Sequence, residues 1–192
     1  MAAPAEIDVT ALVLQDVITT SRGAKQILLT RSDGKPSIWQ PKEAMQPAFE
    51  ASAFGDDTAT RVNLVFTPTN EVCAQVQRFD LWCKSELVKE SQRLFGQALS
   101  ADEIERRYQS PLRRSDKNGI LSFRVKMNRE GRCAVRCWDT FRQARAQPAS
   151  WIACSVIPRL VLRSLWVMNK EVGPVFEITD ALLDEAPMEC PF

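Results

Sequence analysis

Apolar and polar residues alternate most regularly between positions 121 and 138 of the chain. In residues 121–127 every second side chain is apolar, which predicts a strand with one buried face, and residues 132–138 repeat the alternation. The four residues between the two runs end in Gly131, and glycine suits the positive φ of a hairpin turn. The pattern therefore predicts a β-hairpin. Its outer face would carry four cations and an aromatic ring, from Arg124, Lys126, Arg132, Arg136 and Trp138.

Further strands are predicted on either side of this hairpin. Short β-rich runs at residues 9–14 and 24–30 predict a first hairpin, and residues 61–66 predict another strand. Near the end of the chain, residues 155–168 predict a long strand, and residues 175–179 return beside it. Most strands are therefore expected to lie in antiparallel pairs.

A helical segment interrupts these strands at about residues 69–109. Thr69 or Asn70 caps its start, and Ser100 with Glu103 forms a capping box for a later, shorter helix. Between these caps, apolar residues spaced three or four apart predict a stripe that packs on a sheet: Val72, Val76, Phe79, Cys83 and Leu87.

Strands in hairpins with helices inserted between them predict a mainly β fold, a Greek-key barrel or sandwich rather than a parallel sheet. Residues 1–183 would form a single domain, and residues 184–192 would form an acidic tail. Trp39 is either a core side chain or an exposed stacking ring, and the absence of a clear period around it favours the core.

Composition narrows the chemistry. The 192 residues contain no histidine, which excludes Ser-His and Cys-His nucleophile activation and zinc sites with histidine ligands. The six cysteines form no CxxC pair, so they are interpreted as reduced thiols of an intracellular, soluble protein. No apolar run reaches the length of a membrane span. We expect no metal, no cofactor and no membrane partner.

Charge is segregated along the chain. Residues 106–163 carry fourteen Lys and Arg against three Asp and Glu, although the net charge of the whole chain is only +1. A basic block interleaved with aromatic rings is typical of single-stranded nucleic-acid binding, because cations meet phosphates and rings stack on bases. The candidate binding residues are Arg113, Arg114, Lys117, Arg124, Lys126, Arg132, Arg136, Trp138, Phe141, Arg142, Trp151 and Trp166.

The last nine residues contain three acidic residues and no basic one, and they end in Phe192. A basic β-barrel followed by such a tail resembles bacterial single-stranded DNA-binding proteins and the single-stranded DNA-binding protein of T7-like phages. Residues 166–178 are also similar to the C-terminal part of single-stranded-DNA-binding-like proteins of large eukaryotic DNA viruses, and that likeness extends over residues 61–183.

The resemblance implies an OB-fold-like barrel that binds single-stranded DNA with little sequence preference. It also implies a role in replication, recombination or repair, at a viral replication site or in a nucleus. The tail would recruit replication proteins through Asp184, Glu185, Glu189 and Phe192.

Alternatives to this function stay open from the sequence. The basic face could instead meet an acidic protein in an interaction or virion module. A metal-dependent nuclease is disfavoured, because two-metal sites need several converging carboxylates and the basic block offers only Asp116, Glu130 and Asp139. The sequence does not distinguish DNA from RNA, or a monomer from a homodimer.

Overall fold

The computed structural model describes residues 6–21, 23–53, 56 and 58–185, with side chains through Asp184. A 3-10 helix at Val9–Ala11 precedes the first strand. The strands are β1 (Leu12–Thr19), β2 (Lys25–Arg31), β3 (Ser37–Trp39), β4 (Gln46–Pro47), β5 (Arg61–Thr67), β6 (Leu112–Arg114), β7 (Leu121–Asn128), β8 (Arg136–Trp138), β9 (Ala144–Arg145), β10 (Cys154–Met168) and β11 (Glu171–Glu185). The helices are α1 (Asn70–Lys89), α2 (Ser91–Phe95) and α3 (Ala101–Arg107).

The strands form one sheet in the order β1-β2-β10-β11-β7-β5-β4. Met45, next to β4, closes this sheet into a barrel. Its N–H donates to the carbonyl of Val156 at 2.8 Å, and its carbonyl accepts from the Val156 N–H at 2.9 Å. Strand pairs are antiparallel except for those that β11 makes with β7 and β8. The predicted fold class, mainly β with helices inserted between strands, is confirmed.

The predicted hairpin between residues 121–127 and 132–138 is wrong. β7 forms as expected, but β8 contains only three residues and does not pair with it. One edge of β7 is occupied by β5, and the other is shared by β6 and β11, so no edge remains for β8. β8 instead pairs in parallel with β11, where Cys137 lies opposite Ala181. The five side chains predicted on one hairpin face are therefore divided between β7, β8 and a connecting loop.

The first and last predicted hairpins are confirmed, as β1–β2 and β10–β11. The last is much longer than predicted on its return strand, because β11 runs for 15 residues. Asn169 and Lys170 make its tight turn with φ values of 50° and 69°. The strand register shifts after Arg159, beside Pro158, whose missing N–H cannot take part in a ladder. The predicted bend at this proline thus corresponds to a bulge.

β11 also extends into the segment assigned to the tail. Asp184 lies opposite Ser155 and Glu185 opposite Cys154, so both acidic residues lie in the last strand. Residues 186–192 lie outside the described part of the chain.

The two predicted helix starts, those of α1 and α3, are confirmed. Thr69 accepts a hydrogen bond from the Val72 N–H at 3.3 Å, and the capping box at Ser100 is present. The apolar stripe of α1 is buried against the barrel, with the ring of Phe79 5.5 Å from that of Phe176. Trp39 is fully buried, which confirms its assignment to the core. None of these described helices is long and apolar enough to cross a membrane.

Candidate nucleic-acid interface

A groove of about 860 Å³ lies on the outer face of the sheet, across β5, β7, β11, β10 and β2. None of the described residues that line it is Asp or Glu. Amides, hydroxyls, apolar side chains and one indole ring complete its lining, so the charged groups of the groove are all positive. Its five cations are Lys25, Arg61, Arg113, Arg124 and Lys126.

Strand alternation orients the groove cations. Phe123, Val125 and Met127 are at most 1% exposed and face the core, so the residues between them on β7 face outward. Arg124 and Lys126 therefore lie on the groove side of β7. Val62 on the neighbouring β5 is buried, and Arg61 before it faces the same groove.

The groove cations are crowded together. Partial burial lowers the pKa of the Lys126 ammonium, and the nearby charges of Arg61 and Arg124 lower it further. Burial also lowers the pKa of Arg124, with a smaller contribution from Arg113. Both effects disfavour the charged forms, and a bound anion would relieve them. This electrostatic state is typical of a site for a polyanion.

Trp166 lies in the wall of the groove, on β10 opposite Gly173 of β11. A Cβ atom at position 173 would lie 2.9 Å from two carbons of the indole ring and 2.6 Å from the carbonyl oxygen of Gln109. Contacts this short do not occur, so only glycine lets the ring lie across β11 while residue 109 stays beside it. Gly173 therefore fixes the position of the indole ring.

A buried polar cluster holds the part of the groove lining that residues 109–111 form. Asp80 on α1 accepts hydrogen bonds from the Tyr108 hydroxyl at 2.6 Å and from the Ser110 hydroxyl at 2.5 Å. Burial, the largest influence, raises the pKa of Asp80 despite these two bonds. The Gln109 N–H also donates to the Val172 carbonyl at 2.8 Å. The helical layer thus anchors the groove wall to the sheet.

The groove brings together four of the residues that the sequence singled out: Arg113, Arg124, Lys126 and Trp166. Trp151 is only 5% exposed and belongs to the core, which corrects its prediction as a stacking ring. Its position just before β10 places the side chain inward, and no local pattern had indicated that direction.

The remaining candidates lie outside the groove. Arg114 donates to the Gly119 carbonyl at 2.6 Å within its own turn, and Lys117 is exposed in that turn. Arg132 is exposed in the loop before β8. Phe141, 83% exposed, and Arg142 form the turn between β8 and β9.

Two further candidates, Arg136 and Trp138, share one carboxylate. Asp180 accepts from Arg136 at 2.8 Å and from the indole N–H of Trp138 at 3.1 Å. Both side chains thus lie next to β11 and are held by Asp180.

The sequence analysis did not single out two of the groove cations, Lys25 and Arg61, or Gly173, which fixes the position of the Trp166 ring. Lys25 and Arg61 lie outside the basic block, and no local pattern connects them with it. Gly173 did offer a clue, since a glycine inside a strand often marks a close approach of other atoms.

The tail candidates are described only in part. Asp184 is exposed at the end of β11, whereas the side chain of Glu185 and the residues Glu189 and Phe192 lie outside the described residues. Across residues 6–185, with the exceptions noted above, no three His, Cys, Asp or Glu side chains are grouped so that they could hold a metal ion.

No known protein family matches the sequence, and no curated protein matches it. Among solved structures, the single-stranded DNA-binding protein from bacteriophage Enc34 in complex with ssDNA is 10% identical, with a TM-score of 0.45 over 94% of this chain and 95% of that chain. The single-stranded DNA-binding protein gp2.5 of bacteriophage T7 is 12% identical, with a TM-score of 0.49 over 79% of this chain and 93% of that chain. The chain is thus similar to phage single-stranded DNA-binding proteins, one of the groups that its sequence resembles.

Proposed function

We propose that this protein binds single-stranded DNA along the groove, with little preference for sequence. The observation that carries the proposal is the joint presence of five cations and one indole ring in a groove without a described acidic lining residue. Cations meet the phosphates of a strand, and the exposed part of the Trp166 ring stacks on a base.

The ring favours an unpaired strand over a duplex. A base inside a duplex is already stacked on both faces, whereas every base of a single strand offers a free π-face. Stacking does not distinguish the bases, so binding of this kind tolerates many sequences. The preference for DNA over RNA is part of the proposal and is tested with strands of both kinds.

Tryptophan fluorescence tests the proposal directly. Titration with oligo-dT should quench the fluorescence with a defined site size, and Trp166→Phe should remove most of that quenching. Trp82→Phe is the matched control, because Trp82 packs on Phe79 with the ring centroids 5.8 Å apart and lies outside the groove. Quenching that survives Trp166→Phe but not Trp82→Phe would contradict the proposed site.

Affinity gives a second measure. Trp166→Ala should weaken binding by about 1–3 kcal/mol, the usual contribution of one stacked base. A duplex of matching sequence should bind more weakly than the strand. Two results together would favour the interaction-module alternative. These are an affinity for nucleic acid that is the same for strand and duplex and independent of strand length, and specific binding to an acidic protein.

The proposed function is binding without catalysis. Neutralisation of phosphates and stacking of bases need no reactive group, and the groove lining supplies both. Incubation of a labelled strand with the protein and Mg²⁺ should therefore leave the strand intact. Cleavage that disappears in Asp139→Ala would contradict this assignment.

We extend the proposal to a role in DNA replication, recombination or repair, with residues 184–192 contacting replication proteins. A polymerase copying a primed single-stranded template tests it. The full chain should stimulate synthesis more than a chain that ends at residue 185, while both bind the strand equally. Equal stimulation by the two chains would remove the proposed role of the tail.

A further inference from the structure

Beyond the groove, the outer face of the sheet continues along β11 onto a second set of arginines. Val175 lines the groove, and the next outward residue on the same strand is Glu177. The Glu177 carboxylate is 8% exposed and lies 3.0 Å from Arg61 and 3.5 Å from Arg163. Since Arg61 also lines the groove, this carboxylate lies at the groove's edge.

The same arrangement recurs farther along β11 at Asp180. This side chain, 13% exposed, lies 2.8 Å from Arg136 of β8 and 3.5 Å from Arg159 of β10. Trp138 and Thr179 also donate hydrogen bonds to it. Burial opposes ionisation of Asp180, but the hydrogen bonds from Arg136, Trp138 and Thr179 together outweigh burial and lower the pKa of Asp180.

Each buried carboxylate therefore lies beneath arginines whose outer sides reach solvent. The side chains of Arg136, Arg159 and Arg163 are 62%, 34% and 47% exposed. A guanidinium has five N–H donors, so one edge can bind the carboxylate while another stays available to a phosphate. Holding the arginines in place beforehand reduces the entropy lost when a strand binds.

We propose that Arg136, Arg159 and Arg163 form an arginine ledge that binds the phosphates of the strand after it leaves the groove. This inference rests on the proposed function, and it assigns a second segment of the same ligand. From Val175 to Asp180, β11 spans about 16 Å at roughly 3.3 Å per residue. A DNA strand that reaches the ledge must therefore be longer than one that fills the groove alone.

The β8–β9 turn ends the ledge with an aromatic side chain. Trp138 and Ala144 pair at its base, and Asp139 accepts from the Gln143 N–H at 2.8 Å across it. This short turn presents the 83% exposed ring of Phe141 beyond Trp138. A base at the end of the path can stack on that ring.

Strand length separates the ledge from the groove. In the double variant Arg136→Gln/Arg163→Ala, affinity for a strand of about 16 nucleotides should fall about tenfold or more, while affinity for a strand of about 5 nucleotides stays unchanged. For the long strand, the slope of log affinity against log salt concentration should become shallower by about 1.4, because each lost phosphate contact removes roughly 0.7.

Arg31→Gln/Arg78→Ala is the matched control, since these two surface arginines pair with Asp33 and Glu6 at 3.3 and 3.6 Å. It should change neither affinity. Unchanged binding of the long strand in the ledge variant, or an equal loss for both lengths, would overturn the ledge.

A single variant keeps the proposal testable if the double variant does not fold. Arg163→Ala alone leaves Glu177 paired with Arg61 and Asn128, so it should keep its melting temperature and show half of the change in salt dependence. Titration of poly-dT should also show fewer nucleotides occluded per variant protein, and an unchanged site size would count against the ledge. A different result would contradict the proposed function of the groove. In that case Trp166→Ala and Lys126→Ala would leave the affinity for both strand lengths unchanged.

Discussion

The groove and the arginine ledge use the same residue types in opposite electrostatic settings. In the groove, Lys126 faces Arg61 and Arg124, and burial together with these neighbours lowers its pKa. On the ledge, hydrogen bonding to Asp180 raises the pKa of Arg136. The groove keeps Lys126 close to two arginines at an energetic cost, and the ledge holds its arginines near buried carboxylates.

This contrast shows that cations proposed to bind the same strand can differ in what they contribute to the fold. A cation that gains no carboxylate from the fold gains most from an external anion. A buried carboxylate that holds several cations supports the fold, because its loss leaves all of those cations poorly compensated. The following variants should separate the two regions by what each one loses.

The largest effect on stability is expected from removing the Asp180 carboxylate, which holds two of the ledge arginines. Asp180→Ala should lower the free energy of unfolding by about 2–4 kcal/mol, because Arg136 and Arg159 lose their acid and Trp138 its acceptor. Denaturant unfolding measures this change. Asp33→Ala, which removes an exposed partner of Arg31, is the control and should lower the free energy of unfolding much less. Equal effects would mean that Asp180 contributes no more than a surface ion pair.

The next effect concerns the ring in the groove wall. Gly173→Ala should cost about 1–3 kcal/mol of stability, because the new methyl group would meet the indole of Trp166 and the Gln109 carbonyl. The displaced ring should also weaken strand binding about tenfold, close to the low end of the loss from Trp166→Ala.

The emission maximum of Trp166 in the free variant reports the movement of the ring. Gly131→Ala is the control, since it changes a positive-φ glycine in a loop outside the groove and should leave strand binding unchanged. Full binding by Gly173→Ala would show that the ring does not need the glycine.

A smaller effect is expected from a single groove cation. Lys126→Ala should leave stability unchanged or raise it slightly, because the folded state disfavours the charge at this position. The affinity for the strand should instead depend less on salt, and the slope of log affinity against log salt concentration should become shallower by about 0.7. Lys89→Ala, an exposed substitution on α1, should change neither quantity. Destabilisation by Lys126→Ala would mean that the charge of this lysine supports the fold.

The smallest effect is a pH dependence of binding. Burial and the nearby charges of Arg61 and Arg124 lower the pKa of Lys126 in the free protein, and a bound strand favours the charged lysine. Affinity should therefore fall as the pH rises toward that lowered pKa, by a few-fold for one phosphate contact. Lys126→Arg should keep its affinity over the same pH range, because guanidinium stays protonated. An identical fall in the two proteins would assign the titration to another group.

Local patterns predicted the direction of many side chains. Alternation in residues 121–127 correctly placed Arg124 and Lys126 on the outer face of a strand, and caps correctly placed the starts of α1 and α3. These features depend on neighbours within a few residues, so a single stretch of sequence contains them.

Pairing partners depended on the whole chain. Gly131 suits a hairpin turn, yet β5, β6 and β11 occupy both edges of β7, and β8 pairs with β11 some forty residues farther along. Parallel strands such as β8 and β11 are not joined by a short turn, so no turn motif in the sequence indicates that they pair.

The groove itself also exists only in the folded chain. Lys25 and Arg61 reach Lys126 through strand order, and burial alone separates Trp151 from Trp166. Periodicity determines which side of a strand a residue faces. Which strands meet, and therefore which charges share a surface, is decided by competition for free sheet edges across the entire molecule.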